Sequence, residues 1–178
     1  MKGIIPQDRY LKINGLRLHY LDWENHGCQT ILLLHGFMAH AHVWDDFVLN
    51  FQSYYRVIAL DQRGHGESQW SGDMAYTLDD HFSDIAHFIE ILDLNDLILI
   101  GHSMGGRHAL FCAACVPHKV DRLILVDARP GNDHHRGAAI RVEQAEGVQK
   151  LLQHLSVNRV QFVGAVESEI GDAIFPFQ

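Results

Sequence analysis

The chain has 178 residues, of which 47% are apolar and 20% charged, so it is long and apolar enough for one domain with a packed core. Its formal net charge of -8 disfavours nucleic-acid binding, because a phosphate backbone requires a basic protein face. It contains no run of eighteen or more uncharged apolar residues, so we expect no membrane span.

The first third of the chain predicts a hairpin and two buried strands. Arg9–Trp23 has two apolar-rich runs around Asn14-Gly15, a pair that supplies the positive φ angles of a type I′ turn, so this segment predicts a β-hairpin. Thr30–Leu34 and Tyr55–Leu60 are mainly apolar runs, typical of strands buried on both faces. Between them, Val43–Phe51 can form a short helix.

The middle of the chain continues the alternation. Thr77–Asp93 carries an apolar residue every three or four positions, and Thr77 with Asp80 resembles a capping box at the start of a helix. Leu97–Ile100 predicts a third buried strand, followed by an Ala-rich helix. Arg122–Val126 predicts a fourth.

Alternating strands and helices predict an α/β fold: a mainly parallel, doubly wound sheet with an N-terminal antiparallel hairpin and about six strands in all. Ligands bind such sheets at the carboxyl ends of the strands. His35, Asp61, Ser103 and Asp127 all fall at that edge. We therefore expect the functional site there.

The pattern weakens from residue 131 onward. Ala138–Leu155 and Arg159–Ile170 are predicted to be helical. We therefore divide the chain into a core, residues 1–130, and a helical segment, residues 131–178.

The three cysteines form an odd and sparse set, and residues 1–6 lack the apolar core of a secretory signal, so we expect a cytoplasmic protein. Cys112 and Cys115 make a C-x-x-C pair. They fall late in a predicted helix, away from the N-terminus that would stabilise a thiolate, so a structural role is favoured over redox chemistry.

The fourteen histidines raise the question of a metal site. His40 and His42 are two positions apart, and His134 and His135 are adjacent, so neither pair has the i, i+4 spacing of a helical H-E-x-x-H motif. We interpret both pairs as polar loop residues and predict no metal.

Gly101-His102-Ser103-Met104-Gly105 matches the pattern G-x-S-x-G between a buried strand and a helix. In this context the serine sits on a tight, strained turn, and the glycines leave room for neighbouring backbone. The turn presents the hydroxyl at the mouth of the sheet, over the positive end of the following helix. Ser103 is therefore the candidate nucleophile.

Three motifs together resemble those of the α/β-hydrolase family, over roughly residues 9–130. In family order they are His35-Gly36-Phe37, Asp61-Gln62-Arg63-Gly64-His65-Gly66-Glu67-Ser68 and Gly101-His102-Ser103-Met104-Gly105-Gly106. The second resembles the D-x-R-G-x-G-x-S loop that follows the family's fourth strand. The elbow is most similar to those of small esterases, non-haem peroxidases and carbon–carbon bond hydrolases, none of which implies a cofactor.

By this resemblance, Ser103 would be the nucleophile, and the backbone N–H groups of Phe37 and Met104 would form the oxyanion hole. His35 would be a structural residue of its loop, and the sharp turn would direct His102 away from Ser103. Serine rather than aspartate at the elbow argues against a haloalkane dehalogenase. The implied function is hydrolysis of a small carboxylic ester or similar acyl substrate.

The family places its acid after strand seven and its histidine after strand eight. Neither strand is evident in the sequence, so we expect a C-terminally truncated hydrolase whose residues 131–178 begin the family's helical cap. A serine hydroxyl needs an adjacent base. One hypothesis supplies it locally, as His134 or His135 with Asp127 or Asp133.

Without strand seven, Leu123–Val126 would be an apolar edge with unpaired backbone groups. This predicts a homodimer paired along the edge, a cap segment folded over it, or poor solubility. Two other functions also stay open: a homologue that binds a small apolar ligand without turnover, and a fragment with no independent function. The intact elbow and oxyanion loop favour the enzyme.

Overall fold

The computed structural model describes residues 5–128 and 160–163, with side chains for the first range. Seven strands form one sheet: β1 (Gln7–Ile13), β2 (Leu16–Asp22), β3 (Thr30–Leu34), β4 (Arg56–Leu60), β5 (Leu97–His102), β6 (Val120–Val126) and β7 (Val160–Val163). Their spatial order is β1-β2-β4-β3-β5-β6-β7. β2 pairs antiparallel with β1 and β4, and all other pairs are parallel. The predicted α/β class with an N-terminal hairpin is confirmed.

The hairpin turns at Asn14-Gly15, as predicted. Asn14 has φ 49° and Gly15 has φ 82°, which are the left-handed angles of a type I′ turn. Ile13 pairs with Leu16 across the turn. β2 then pairs with β4 through Tyr20–Asp22, so the hairpin extends the central sheet.

Within residues 5–128, three helices flank the sheet: α1 (Asp45–Val48), α2 (Leu78–Ile91) and α3 (Met104–Cys115). A 3₁₀ turn, Ala41–Trp44, leads into α1, so the helix predicted over Val43–Phe51 is shorter and starts in a tighter conformation. The capping box of α2 is present, with the side chains of Thr77 and Asp80 each accepting a hydrogen bond from the other's backbone N–H. In the described ranges, no helix is long and apolar enough to cross a membrane.

Alternation along β3 divides the core between the two faces of the sheet. Leu32 and Leu34 pack with apolar residues of α2 and α3, whereas Ile31 and Leu33 pack with Trp44 and other apolar residues near α1. These four strand residues are at most 3% exposed. Burying such a side chain contributes roughly 1.5–3 kcal/mol. The packing therefore fixes β3, and with it the start of the loop that follows.

β7 corrects one prediction. Val160–Val163 pairs in parallel with Leu123–Val126 of β6, where the sequence pattern predicted a helix over Arg159–Ile170 and no seventh strand. A run of four residues is too short for periodicity to separate a strand from a helix. The edge of β6 is covered along these residues, which fits the alternative of a later segment folded over it, and the homodimer stays a prediction. The helix predicted over Ala138–Leu155 lies outside the described residues.

Candidate active site

Ser103 lies at the junction of β5 and α3, with φ 49° and ψ -112°. Non-glycine residues rarely adopt this region, and doing so costs roughly 1–3 kcal/mol. Hydrogen bonds on both sides hold the residue: its N–H donates to Val126 O at 3.0 Å, and its carbonyl accepts from the Arg107 N–H at 3.2 Å. The serine therefore sits on a strained strand-to-helix turn.

Gly105 lets α3 rest directly on the end of β3. A Cβ on Gly105 would lie 2.6 Å from the carbonyl carbon of Leu34 and 2.5 Å from the carbonyl oxygen of His35. Both distances are below the 3.0 Å at which something must shift, and the atoms in the way are backbone. The strand-to-helix turn that carries the candidate nucleophile Ser103 (the nucleophile turn) and the loop after β3 are thus in direct contact.

The loop after β3 brings backbone donors to the same place. A Cβ on Gly36 would lie 3.4 Å from Ser103 Cβ, so this loop passes beside the serine. Among the described residues, the N–H groups of Phe37 and Met104 have no hydrogen-bond partner. Met104 is the first residue of α3, at the positive end of that helix. Unpaired donors beside a hydroxyl can stabilise the oxyanion of an acyl-transfer reaction.

His35 has no free ring nitrogen for a proton from Ser103. Its Nδ1–H donates to Gly36 O at 2.8 Å, and its Nε2 accepts from the Gln62 N–H at 3.1 Å. Burial lowers the pKa of His35 to about 4, so the ring is neutral at pH 7. The arrangement agrees with the structural role expected for this residue.

The ring of His102 lies over Gly36, with Nδ1 2.7 Å from the position that a Cβ of Gly36 would occupy. Within the described part of the chain, no hydrogen bond joins a histidine to Ser103. The described residues therefore include the candidate nucleophile and two candidate oxyanion donors, and among them no histidine is hydrogen-bonded to Ser103.

Asp61 anchors the loops around the site. Its Oδ1 accepts from the Ala41 N–H at 2.6 Å, and its Oδ2 accepts from the Glu67 N–H at 2.9 Å and lies 2.7 Å from His19 Nδ1. The residue is 2% exposed. These partners use both carboxylate oxygens, so Asp61 ties the end of β4 to its surroundings.

Of the predicted acid and base residues, Asp127 alone lies within residues 5–128. It follows β6 directly, is exposed and has φ 46°. Its neighbour Val126 holds the Ser103 N–H, so Asp127 is at the edge of the sheet that carries the elbow. Asp133, His134 and His135 lie outside the described residues, and the pairing of either histidine with Asp127 or Asp133 stays a prediction.

Residues 29–157 match the family model described as the alpha/beta hydrolase fold. The match includes the loop after β3, the loop after β4 and the nucleophile turn. The chain belongs to the α/β-hydrolase family.

This α/β-hydrolase is similar to relatives with different activities. It is 38% identical over 118 residues to epoxide hydrolase 4 of Mus musculus, covering 66% of this chain and 33% of that protein. It is 37% identical over 119 residues to a non-heme chloroperoxidase of Streptomyces lividans, covering 66% and 43%. The solved thioesterase domain from the curacin biosynthetic pathway has a TM-score of 0.68 at 28% identity, covering 74% and 48%. The chain spans less than half the length of each.

The structure of this α/β-hydrolase also brings together two polar residues that sequence reasoning missed. Gln62 is 2% and His108 is 6% exposed, and the Nδ1–H of His108 donates to Gln62 Oε1 at 2.6 Å. The ring of His108 stacks on His81, with centroids 4.2 Å apart. A signal was present in the sequence, because His108 shares one helical face with Gly105 and Cys112, where an apolar residue is the usual choice.

The C-x-x-C pair has the placement expected of structural cysteines. Cys112 is buried, and burial raises its pKa to about 12, while Cys115 is exposed near the end of α3. Within the described part of this α/β-hydrolase, no group of three or more His, Cys, Asp or Glu residues could hold a metal ion.

Proposed function

We propose that the chain is a serine hydrolase that acts on a carboxylic ester or similar acyl substrate. Ser103 is the nucleophile, and the N–H groups of Phe37 and Met104 bind the oxyanion. The observation that carries the proposal is the backbone of Ser103, at φ 49° and ψ -112°, between β5 and α3. Strained non-glycine residues of this kind cluster at active sites, where the strain is part of the mechanism.

Serine favours acyl substrates over epoxides, although an epoxide hydrolase is among the relatives. Attack of Ser103 Oγ on an acyl carbon gives an ester, and water can attack its carbonyl while the same two N–H groups stabilise the second oxyanion. Attack on an epoxide carbon would give an ether, which offers water no carbonyl. Turnover through a serine adduct is therefore chemically accessible for acyl compounds.

A base is still required, because losing it from a serine triad costs on the order of a millionfold in turnover. The local hypothesis pairs His134 or His135 with Asp127 or Asp133. Alanine variants of the two histidines test it. Full activity of both His134→Ala and His135→Ala would remove the local pair and leave the role of Ser103 intact.

The decisive test is labelling of the 178-residue chain with a fluorophosphonate, together with turnover of p-nitrophenyl acetate. We expect a covalent adduct on Ser103, and loss of both labelling and turnover in Ser103→Ala. Ser83→Ala, which removes a serine from α2, is the matched control and should retain both. Ester turnover that survives Ser103→Ala would contradict the proposal, and ligand binding without labelling would favour the non-catalytic homologue.

A further inference from the structure

We propose that Gln62 is a positioning residue, which holds the oxyanion loop after β3 against the nucleophile helix α3 with His108 as its hydrogen-bond donor. The proposal rests on the proposed function of Ser103. Gln62 is buried and directly follows Asp61 in the loop after β4, and it has no contact role in the chemistry itself.

Gln62 forms hydrogen bonds with two atoms of His35. The Gln62 backbone N–H donates to His35 Nε2 at 3.1 Å, and the Gln62 side-chain Nε2 donates to His35 O at 2.8 Å. His35 immediately precedes Gly36-Phe37, which carry the proposed oxyanion donor. The ring and the carbonyl of His35 are both fixed, so the loop leaves β3 in one direction.

A third hydrogen bond, between Gln62 and His108, connects this pair of contacts to α3. Because the carbonyl of His35 can only accept, the Gln62 atom facing it is the amide nitrogen, and the amide oxygen faces His108. His108 Nδ1, 2.6 Å from that oxygen, must then carry the hydrogen. Gln62 therefore links the loop after β3 to the helix that begins one residue after Ser103.

The hydrogen bonds fix where the ring hydrogens lie. His35 donates from Nδ1 to Gly36 O and accepts at Nε2, so it is the neutral imidazole with its hydrogen on Nδ1, and His108 likewise carries a hydrogen on Nδ1. Burial lowers the pKa of His35 to about 4 and that of His108 to about 3, which keeps both rings neutral at pH 7. The hydrogen bonds that join His35, Gln62 and His108 are therefore all present at pH 7.

The carbonyl of His35 explains why the link bears on chemistry. It accepts from Gln62, and its oxygen also lies 2.5 Å from the position that a Cβ of Gly105 would occupy, in the first turn of α3. A shift of this carbonyl changes the separation of the loop and the helix, and with it the spacing between the N–H groups of Phe37 and Met104. Oxyanion donors act only within about 0.5 Å of their productive position.

The test compares four variants of the full chain. Gln62→Leu keeps the side-chain volume and removes all of its side-chain hydrogen bonds, and His108→Leu removes the donor. His108→Asn places an N–H near the position of Nδ1 and should rescue the link. His118→Leu, at an exposed histidine beyond α3, is the control.

With p-nitrophenyl acetate, we expect Gln62→Leu and His108→Leu to lower kcat by about 10- to 100-fold, with KM changed by less than about threefold. His108→Asn should recover most of the kcat, and His118→Leu should match the parent chain. Urea unfolding shows whether each variant is folded at the assay temperature. A folded Gln62→Leu with unchanged kcat would overturn the proposal, as would equal losses in His108→Asn and His108→Leu.

If the parent chain shows no Ser103-dependent turnover, the proposed function fails and a second readout decides the positioning role. In ¹H–¹⁵N spectra of the free protein, Gln62→Leu should shift the backbone amide signals of Phe37 and Met104, and His118→Leu should not. Unshifted amide signals in folded Gln62→Leu would refute the positioning role independently of any activity.

Discussion

Replacing Ser103 by glycine should stabilise the protein while removing the proposed nucleophile. At φ 49° and ψ -112°, a side chain of any kind is strained, and glycine is not. Ser103→Ala is the comparison, because it also lacks the hydroxyl but keeps the Cβ that causes the strain. The difference in stability between the two variants therefore isolates the backbone term.

The expected magnitude follows from two opposing effects. Relief of the strain gains roughly 1–3 kcal/mol, and the greater freedom of glycine in the unfolded chain costs roughly 0.5–1 kcal/mol relative to alanine. The Gly variant should thus be more stable than the Ala variant by about 1 kcal/mol, which is about 2–4 °C in Tm for a chain of this size. Ser83, in the interior of α2, gives the opposite sign, since glycine there is about 1 kcal/mol less favourable than alanine.

Urea unfolding, followed by circular dichroism, measures both pairs of variants. We expect Ser103→Gly to unfold at a higher urea concentration than Ser103→Ala with the same slope, and Ser83→Gly at a lower one than Ser83→Ala. If Ser103→Gly is no more stable than Ser103→Ala, Ser103 is not strained in the folded protein. The observation behind the proposed nucleophile would then be lost.

Two further predictions concern close packing and buried histidines. Gly105→Ala should destabilise the chain by about 1–3 kcal/mol and abolish fluorophosphonate labelling, because the new Cβ would overlap backbone atoms at the end of β3. The control is Gly72→Ala, at a position with open space around it, which should change neither stability nor labelling. The second prediction concerns stability at acidic pH. Burial and the nearby His81 and Arg107 lower the pKa of His108 in the folded protein to about 3, below the unfolded value of 6.5. The contribution of His108 to stability is therefore complete above pH 6.5 and declines as the pH falls toward about 3. By pH 5 the free energy of unfolding should fall by about 2 kcal/mol on account of this residue. Urea unfolding at pH 7 and pH 5 should show a smaller drop for His108→Asn than for the parent chain. An equal drop in the variant and the parent would refute this assignment.

Much of the fold could be predicted because its signals are local. Asn14-Gly15 specifies a turn by dihedral angle alone, and the unbroken apolar run of Ile31–Leu34 has no stable place except inside a two-sided core. Thr77 and Asp80 likewise satisfy each other's backbone within one helical turn. Each of these features depends on neighbours in the sequence, so the sequence pattern was sufficient.

The rest depends on partners distant in sequence. β7 is a four-residue strand whose conformation is fixed by pairing with Leu123–Val126, and a pattern that short carries no reliable period. The hydrogen bond from His108 to Gln62 joins residues 46 positions apart, one in helix α3 and one in the loop after β4. These two segments look independent in the sequence. A buried polar residue indicates that a partner exists, but the identity of the partner follows only from the packing of α3 and β4 on the two sides of β3.

Strand order explains why the loop after β3, rather than another loop, can be held so firmly. β3 lies between β4 and β5, so the loop after β3 has the loop after β4 on one side and the nucleophile turn on the other. Gln62 reaches it from the first side and Gly105 from the second, and both meet the carbonyl of His35. An N–H donor on the loop after β4 would instead have β2, a strand of the hairpin, as its other neighbour. It could be held in place only from the side of β3. The order β4-β3-β5 therefore places the N–H of Phe37 in the position where two independent contacts can set its distance from Ser103.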